Sequence, residues 1–398
     1  MILKKYKDFS YLFLGRLISN CGDSIYTLVL SWYVLEMTNQ SWYVGVLNFL
    51  IFIPNTFSFV FGKKIDRIQK KKLLVILEWV QLLAVLGIIG GMMLRTRAEG
   101  LSLWIILICV FLASTVGLNT YTVQDALVPK FVSNKDLPKA EMYMSVAYNG
   151  TDYIFTALSG FLLSVISYIP LLIVDVLTFL ASIFCFKKII FNEKIEKTEE
   201  KTDIFSGLRF IWHNKVVFSI TLGIGLINFL FAGLNVYQLL IAKEFGNAAF
   251  YGLLVSGSAI GTLFGTTVVS NFILKKMSIG HAFWLATAIF GLGIGLSTLA
   301  PNSFWLLVTW FISHLFLGVT HVAQKPILQT EIPDERLGEV FSAFYTVTIP
   351  TLAIGSLVFG AIADFLSWRV FIILFGVATI LIAFLYFSNK KLRLYDVS

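Results

Sequence analysis

Long apolar stretches broken by short polar ones set the pattern of this chain. Runs of about 20 residues, the length a helix needs to cross ~30 Å of hydrocarbon, extend approximately over 9–36, 42–61, 73–94, 101–124, 140–167, 169–190, 216–242, 247–274, 280–299, 303–324, 339–364 and 368–388. They predict an all-α membrane protein of twelve transmembrane helices. The longest polar stretch, Asn192 to Asp203, carries Glu193, Lys194, Glu196, Lys197, Glu199, Glu200 and Lys201 and divides the spans six and six. After it, Ile204, Phe205, Leu208, Ile211 and Trp212 recur at helical spacing, as in a helix lying in the membrane interface. The expected organisation is an N-terminal six-helix bundle over 1–191, a linker with an interfacial helix over 192–215, and a C-terminal six-helix bundle over 216–398.

Two weak internal echoes relate the halves. Tyr43-Val-Gly45-Val-Leu opens the second span and Phe250-Tyr-Gly252-Leu-Leu the eighth. Val132-Ser-Asn-Lys-Asp-Leu137, followed by Ala140-Glu-Met-Tyr143, is answered by Ile332-Pro-Asp-Glu-Arg-Leu337 and Gly338-Glu-Val-Phe341. With the six-plus-six layout, these favour two pseudo-symmetric halves around a central cavity, the arrangement in which alternating access operates.

Composition agrees with lipid as the solvent. The 398 residues are 57% hydrophobic and 14% charged, with mean hydropathy +0.82, against roughly a quarter charged in soluble domains. The net charge of +8 raises the question of nucleic acid, and the placement of the bases answers it. With the N-terminus inside, 26 of the 31 Lys and Arg lie in inward loops, and four (Arg95, Arg97, Lys243 and Arg369) lie outside. That asymmetry is the positive-inside rule, so both termini are expected on the cytoplasmic side of the cell membrane. The basic excess then faces anionic lipid rather than nucleic acid. The first apolar run is too long for a signal-peptide core and lacks a small-residue cleavage site, so it is expected to remain as a helix. Cys21, Cys109 and Cys185 stand apart in apolar runs and read as buried apolar residues, with no disulfide or metal spacing. No phosphate-binding loop is present, and Gly291-Leu-Gly293-Ile-Gly295 sits inside an apolar span, where it reads as close helix packing. No cofactor or metal is expected, and no convergent nucleophile, base or metal cluster marks an enzyme.

Between the second and third spans stands Gly62-Lys-Lys-Ile-Asp66-Arg67-Ile-Gln-Lys70-Lys71-Lys72. A glycine permits turning, Asp66 can cap a helix and pair with bases, and Lys70 to Lys72 hold the loop inside. This resembles the loop signature of the major facilitator superfamily, with Gln69 in the place of a usual glycine. Further segments resemble the macrolide-efflux branch of its drug:proton antiporters: Ser19-Asn-Cys-Gly22-Asp23, Leu127-Val-Pro129 with Asp136-Leu137, Val174-Asp175-Val-Leu-Thr178-Phe179, Gly207-Leu-Arg209-Phe210, Gln324-Lys-Pro326, and Ile332-Pro333-Asp334 with Gly338-Glu339-Val340. Glu339 replaces a usual Arg, the fourth span has no Arg, and Thr156-Ala-Leu-Ser-Gly160 stands where antiporters commonly carry Gly-Pro. These departures bear on proton coupling rather than on the superfamily. The resemblance implies a secondary transporter, an antibiotic-resistance efflux antiporter that exports amphipathic small molecules by proton antiport with alternating access. It also implies a gating loop of Gly62, Asp66, Arg67, Lys70 and Lys71 that docks against the second half. Export of an endogenous peptide or lipid-like metabolite stays open, as does a non-transporting sensor or partner subunit.

Chemistry within lipid falls to few groups, because a charge at the bilayer centre costs at least ~2.5 kcal/mol. Asp23 and Asp152 lie near the middle of the first and fifth spans and are the candidates for proton or substrate coupling. For Asp23, pairing with Arg16 two turns away is the structural alternative; Asp152, beside Asn149 and Tyr153, has the alternative of bonding neighbouring helices. Asp175 reads as structural, and Glu78 and Asp125 as inner-end residues paired with basic loops. His314 and His321 share a face and suit either a proton relay or two interhelical bonds. Asn228, Asn235, Tyr237 and Gln238 offer uncharged hydrogen bonds to a substrate or between helices. The expected partners are a small amphipathic substrate, protons and membrane lipids, with the protein acting as a monomer.

Overall fold

The computed structural model describes residues 2–57, 69–133, 135–190, 204–245 and 248–396. Its twelve long helices, in chain order, are α1 (Lys7–Thr38), α2 (Ser41–Thr56), α3 (Lys70–Leu94), α4 (Glu99–Phe131), α5 (137–165), α6 (Tyr168–Lys187), α7 (Lys215–Phe245), α8 (Ala248–Leu274), α9 (Ile279–Leu296), α10 (Ser303–Glu331), α11 (Leu337–Ile362) and α12 (Trp368–Ser388). Among the described residues, nine of these are long and apolar enough to cross a membrane. The other three are α1, diluted by Ser19, Asn20, Asp23 and Ser24, the 16-residue described part of α2, and α5, which is interrupted. The chain gathers into two compact units, Met1–Glu199 and Glu200–Ser398.

Each unit buries the same kind of core at corresponding positions. In the first, Val123, Leu127, Val128, Val132, Ala140, Met144 and Phe186 pack with Phe9 and Leu12. In the second, Ala323, Ile327, Leu328, Ile332, Val340, Phe344 and Tyr386 pack with Val216 and Ile220. The seven pairs from Val123/Ala323 to Phe186/Tyr386 share one offset of 200 residues. The first helices follow at an offset of 208: Gly15 of α1 lies against Phe186, and Gly223 of α7 against Tyr386. A Cβ at either glycine would overlap the ring it faces, so these positions set how closely α1 meets α6 and α7 meets α12.

The fifth helix of each unit is broken at the same depth. In α5 the i→i+4 ladder gives way to a π-helical turn over Val146–Gly150; in α11 the helix is interrupted between Thr348 and Pro350, where proline has no N–H to donate. In each unit an asparagine of the first helix donates to a carbonyl at the break: Asn20 Nδ2 to the Tyr148 carbonyl at 2.7 Å, and Asn228 Nδ2 to the Thr348 carbonyl at 3.0 Å. Interruptions of this kind leave backbone carbonyls to be satisfied from outside the helix.

The chain ends are tied down. Lys5 Nζ meets Asp136 Oδ2 at 2.7 Å, and the Tyr6 hydroxyl donates to the same carboxylate at 3.0 Å. These donors, Lys5 first, hold the Asp136 carboxyl below the usual carboxylate range, and the same bond raises the Lys5 ammonium. A lowered carboxyl contributes stability above its unfolded pKa and loses it as pH falls through the folded value. The difference in thermal unfolding between wild type and Asp136→Asn should therefore stay constant from about pH 6 to 9 and shrink only below about pH 4.

The short helix Ile204–His213 gathers its apolar residues on one side. Ile211 is buried in the second core, while Phe205 and Trp212 are exposed. At Gly207 a Cβ would overlap the Glu339 carbonyl and Ala343, so the helix packs directly on α11, with Arg336 donating to the Ser206 carbonyl and hydroxyl at 3.2 and 2.9 Å. The three cysteines, read as buried, are half-buried free thiols.

Candidate functional site

Within the first unit, α1 carries Arg16, Asn20 and Asp23 at i, i+4 and i+7, which places them on one face. Arg16 is fully buried. Its guanidinium carbon lies 3.4 Å from the centroid of the Tyr121 ring on α4 and 4.9 Å from that of Tyr148 on α5, contacts worth about 2 kcal/mol when desolvated. One nitrogen donates to Asn20 Oδ1 at 2.8 Å, and another stands 3.9 Å from Asp23 Oδ2. Asn20 Oδ1 also accepts from the Tyr121 hydroxyl at 3.0 Å. The Asn20 amide reaches both Thr151 Oγ1 and the α5 break. A single asparagine thus links the buried cation to the interruption in α5.

Asp23 opens onto a solvent-open cavity among α1, α2, α3, α4 and α6 of this unit, whose empty space, its mouth included, is about 720 Å³. Asp23 and Asp175 are the charged residues of its lining; Gln81, Asn55, Thr27 and Ser114 add neutral polar groups, and Tyr26, Tyr121 and Phe179 add rings. Arg16 lies behind this wall rather than in it. Asp175, read as structural, is buried at the wall, with Thr178 Oγ1 3.5 Å from Oδ1 and no hydrogen-bond partner for Oδ2. Gly22 lets α1 approach it, since a Cβ there would overlap Asp175 Oδ1 and Thr178 Oγ1. Gln81 accepts from Thr120 of α4 at 3.2 Å. One turn earlier on α3, Glu78 is fully buried; Ser182 of α6 donates to its Oε2, while Oε1 has no partner.

These positions correct two sequence readings. Glu78 is not paired with a basic loop, because the face of α3 that carries it turns into the bundle against α6. Asp125 accepts from the Tyr148 hydroxyl at 2.7 Å, again in place of a loop base. Asp152 lies after the π-turn of α5, where Oδ1 accepts from Ser24 of α1 at 2.7 Å and from Thr156 at 3.4 Å; it is not part of the cavity lining. Asn228 joins helices through the Thr348 carbonyl. Tyr237 donates to the Leu366 carbonyl at 3.2 Å and stacks on Phe371, with centroids 4.0 Å apart. Gln238 is buried and Asn235 half-buried in the same helix. His314 is buried, bonded through Nδ1 to the Trp310 carbonyl at 2.8 Å and edge-on to Phe290, whereas His321 is exposed. Lys70 is buried and Lys71 half-buried at the start of α3. Gly62, Asp66 and Arg67 lie outside the described residues, as do the linker over 192–203 and the side chain of Asn149. Among the described residues no cluster of three or more His, Cys, Asp or Glu is arranged to hold a metal.

The second unit carries no such charges at the matching places. At the offset of 208 Asp23 becomes Phe231, and at 200 Asp175 becomes Phe375. These two rings meet at 5.6 Å, and both pack on Phe290. Sequence reading found Asp23 and Arg16 but passed over Asn20, Gln81 and Tyr121, whose only signal is helical spacing or none. 

Comparison with known proteins then places this geometry. The family model described as "Transmembrane secretion effector" matches residues 4–398. Macrolide efflux protein A of Streptococcus pyogenes is 23% identical over 416 residues, covering 99% of this chain and 100% of that protein. The staphyloferrin A transporter of Staphylococcus aureus (strain NCTC 8325 / PS 47) is 25% identical over 399 residues, covering 96% and 95%. Among solved structures, a bacterial homologue of the iron transporter ferroportin in its inward-facing state superposes with TM-score 0.77 at 17% identity, covering 96% of this chain and 98% of that one.

Proposed function

The chain belongs to the transmembrane secretion effector family of major facilitator transporters, and from that premise we propose that it exports cationic amphipathic molecules in exchange for protons. As a multi-pass membrane transporter with the twelve-helix, two-half layout of that superfamily, it needs a solute site and an energy source. The observation that carries the reading is the cavity wall, where two carboxyl groups stand among aromatic rings with the arginine held behind them. Such a wall suits a positive, partly aromatic solute and repels an anion.

In the proposed cycle Asp23 exchanges partners. Facing outward, the cavity releases its solute and Asp23 takes up a proton from the external water. Facing inward, Asp23 gives that proton up and meets the next cation, while Arg16 stays in reach to balance the carboxylate in between. Asp152, one residue along from Asp23 through Ser24, is the second candidate for this exchange. The gating loop at Asp66 and Arg67 biases one of the two states. The excess of Lys and Arg in alternate loops supports a cell-membrane orientation with both termini in the cytoplasm. The likeness to the staphyloferrin A transporter favours a second reading, export of an endogenous product.

Everted vesicles separate the two readings. Uptake of erythromycin or ethidium that rises with an inward-acid pH gradient and collapses with an uncoupler is the expected result. Uptake of neither probe by well-inserted protein would remove the cationic-drug reading and leave the endogenous product.

A further inference from the structure

Glu78 is a carboxyl group that the proposed cycle does not use and the fold does not require. It lies one turn from Gln81 on α3, so ~5 Å of helix rise separates it from the cavity wall, and it is fully buried. Ser182 supplies one donor to Oε2, and Oε1 faces none. Asp175, two turns before Ser182 on the same face of α6, is likewise buried with one oxygen unpartnered, and it reaches the cavity. The charged and titratable groups around Glu78 are Arg16 and Asp23 on α1 and Asp175 on α6, with Asp125 of α4 on the far side of Arg16, held by Tyr148; Lys187 at the end of α6 lies over the neighbouring Trp79 ring at 5.7 Å.

The second unit shows what a purely structural solution looks like. Gln81 holds Thr120 in the first unit, and Thr287 lies 3.4 Å from the matching Thr320 in the second. Lys187 lies over Trp79, and Phe387, 200 residues on, packs against Trp284, so the two tryptophans match; the residue before each is Glu78 in one unit and Phe283 in the other, and the residue matching Ser182 is Ile382. Phe283 and Ile382 both belong to the buried apolar core of their unit. The same helix pairing is therefore built once with an acid and a hydroxyl and once with hydrocarbon. Buried ionisable groups replaceable by apolar ones are weak stabilisers, and in a membrane they mark function by default.

We propose that Glu78 is a second proton-binding group of the transport cycle, seated behind the cavity on Ser182, which loads and unloads in step with Asp23. This rests on the proton-exchange reading above. A carboxyl group with one oxygen accepting a hydrogen bond and the other without a donor has room for a proton on the free oxygen. Asp175, on the same face of α6 as Ser182 and in the cavity lining, stands between that seat and the water of the cavity. Two proton-binding groups on one unit make the number of protons exchanged per solute larger than one carboxylate alone provides.

The test is the slope of log accumulation against pH gradient in proteoliposomes, with the membrane potential clamped and erythromycin and ethidium as probes. The slope counts exchanged protons and does not depend on protein amount or rate. Glu78→Gln keeps an oxygen to accept from Ser182 but cannot carry the proton, so its slope is expected to fall by about one, a loss of about ten-fold in accumulation per unit of gradient. A wild-type slope of zero would remove proton exchange itself. A wild-type slope retained in Glu78→Gln would overturn the role of Glu78 and leave the exporter reading intact. Should Glu78→Gln fail to insert, Ser182→Ala decides: the pH of half-maximal transport moves if Glu78 binds the exchanged proton, and an unmoved profile overturns the proposal.

Discussion

Asp23→Asn is expected to lower the pH-gradient-driven accumulation of erythromycin and ethidium in everted vesicles by at least ten-fold at a one-unit gradient. The asparagine preserves the volume of the side chain and a polar face toward the cavity, so the pocket keeps its shape while losing the charge that attracts a cation and the oxygen that takes a proton. It also leaves Arg16 without the carboxylate at 3.9 Å, although the Tyr121 ring and Asn20 still hold the guanidinium. Insertion should therefore survive while that share of the coupling is lost. Gradient-driven uptake at the wild-type level would move the coupling role to Asp152, whose Asp152→Asn variant is read in the same assay.

The largest structural effect is expected at the crossing of α8 and α10. A Cβ on Gly265 would overlap the Leu315 carbonyl and press on Gly318, and a Cβ on Gly318 would overlap the Thr262 carbonyl. Because the obstructing atoms are backbone, no rotamer change relieves them, and the two helices must separate. Gly265→Ala should cost about 3 kcal/mol, seen as early thermal unfolding in detergent. Gly257→Ala, in the same helix with open space around its Cβ, is the control and should stay within about 0.5 kcal/mol of wild type. Equal stability of the two variants would show that α8 and α10 do not meet at Gly265.

Helix number and approximate position were readable in the sequence because hydropathy measures what lipid demands. The ends were not: the spans read as 101–124 and 303–324 continue as helix to Phe131 and Glu331, since a helix that leaves the hydrocarbon keeps its hydrogen bonds while its side chains turn polar. The register of Asp23 with Arg16 was legible, being a count along one helix. Rotation about the helix axis was not. Glu78 read as an inner-end residue because it follows Lys70 to Lys72 closely, yet α3 turns it against Ser182. In a helix apolar on all sides, the moment that would reveal this facing is absent. The break in α5 gave no warning either, for Val146–Gly150 contains no proline, and Pro350 beside its counterpart in α11 was not read as one.

The paired interruptions of α5 and α11 speak about descent. Asn20 with the Tyr148 carbonyl, and Asn228 with the Thr348 carbonyl, occupy matching places in the two units. A feature shared at matching positions is what descent of the two halves from one doubled six-helix unit would leave. Asp23 and Asp175, facing Phe231 and Phe375 across the same correspondence, distinguish one copy from the other and record its divergence. The bend in the fifth helix is thus an inheritance common to both halves, while the acidic chemistry is the specialisation of one.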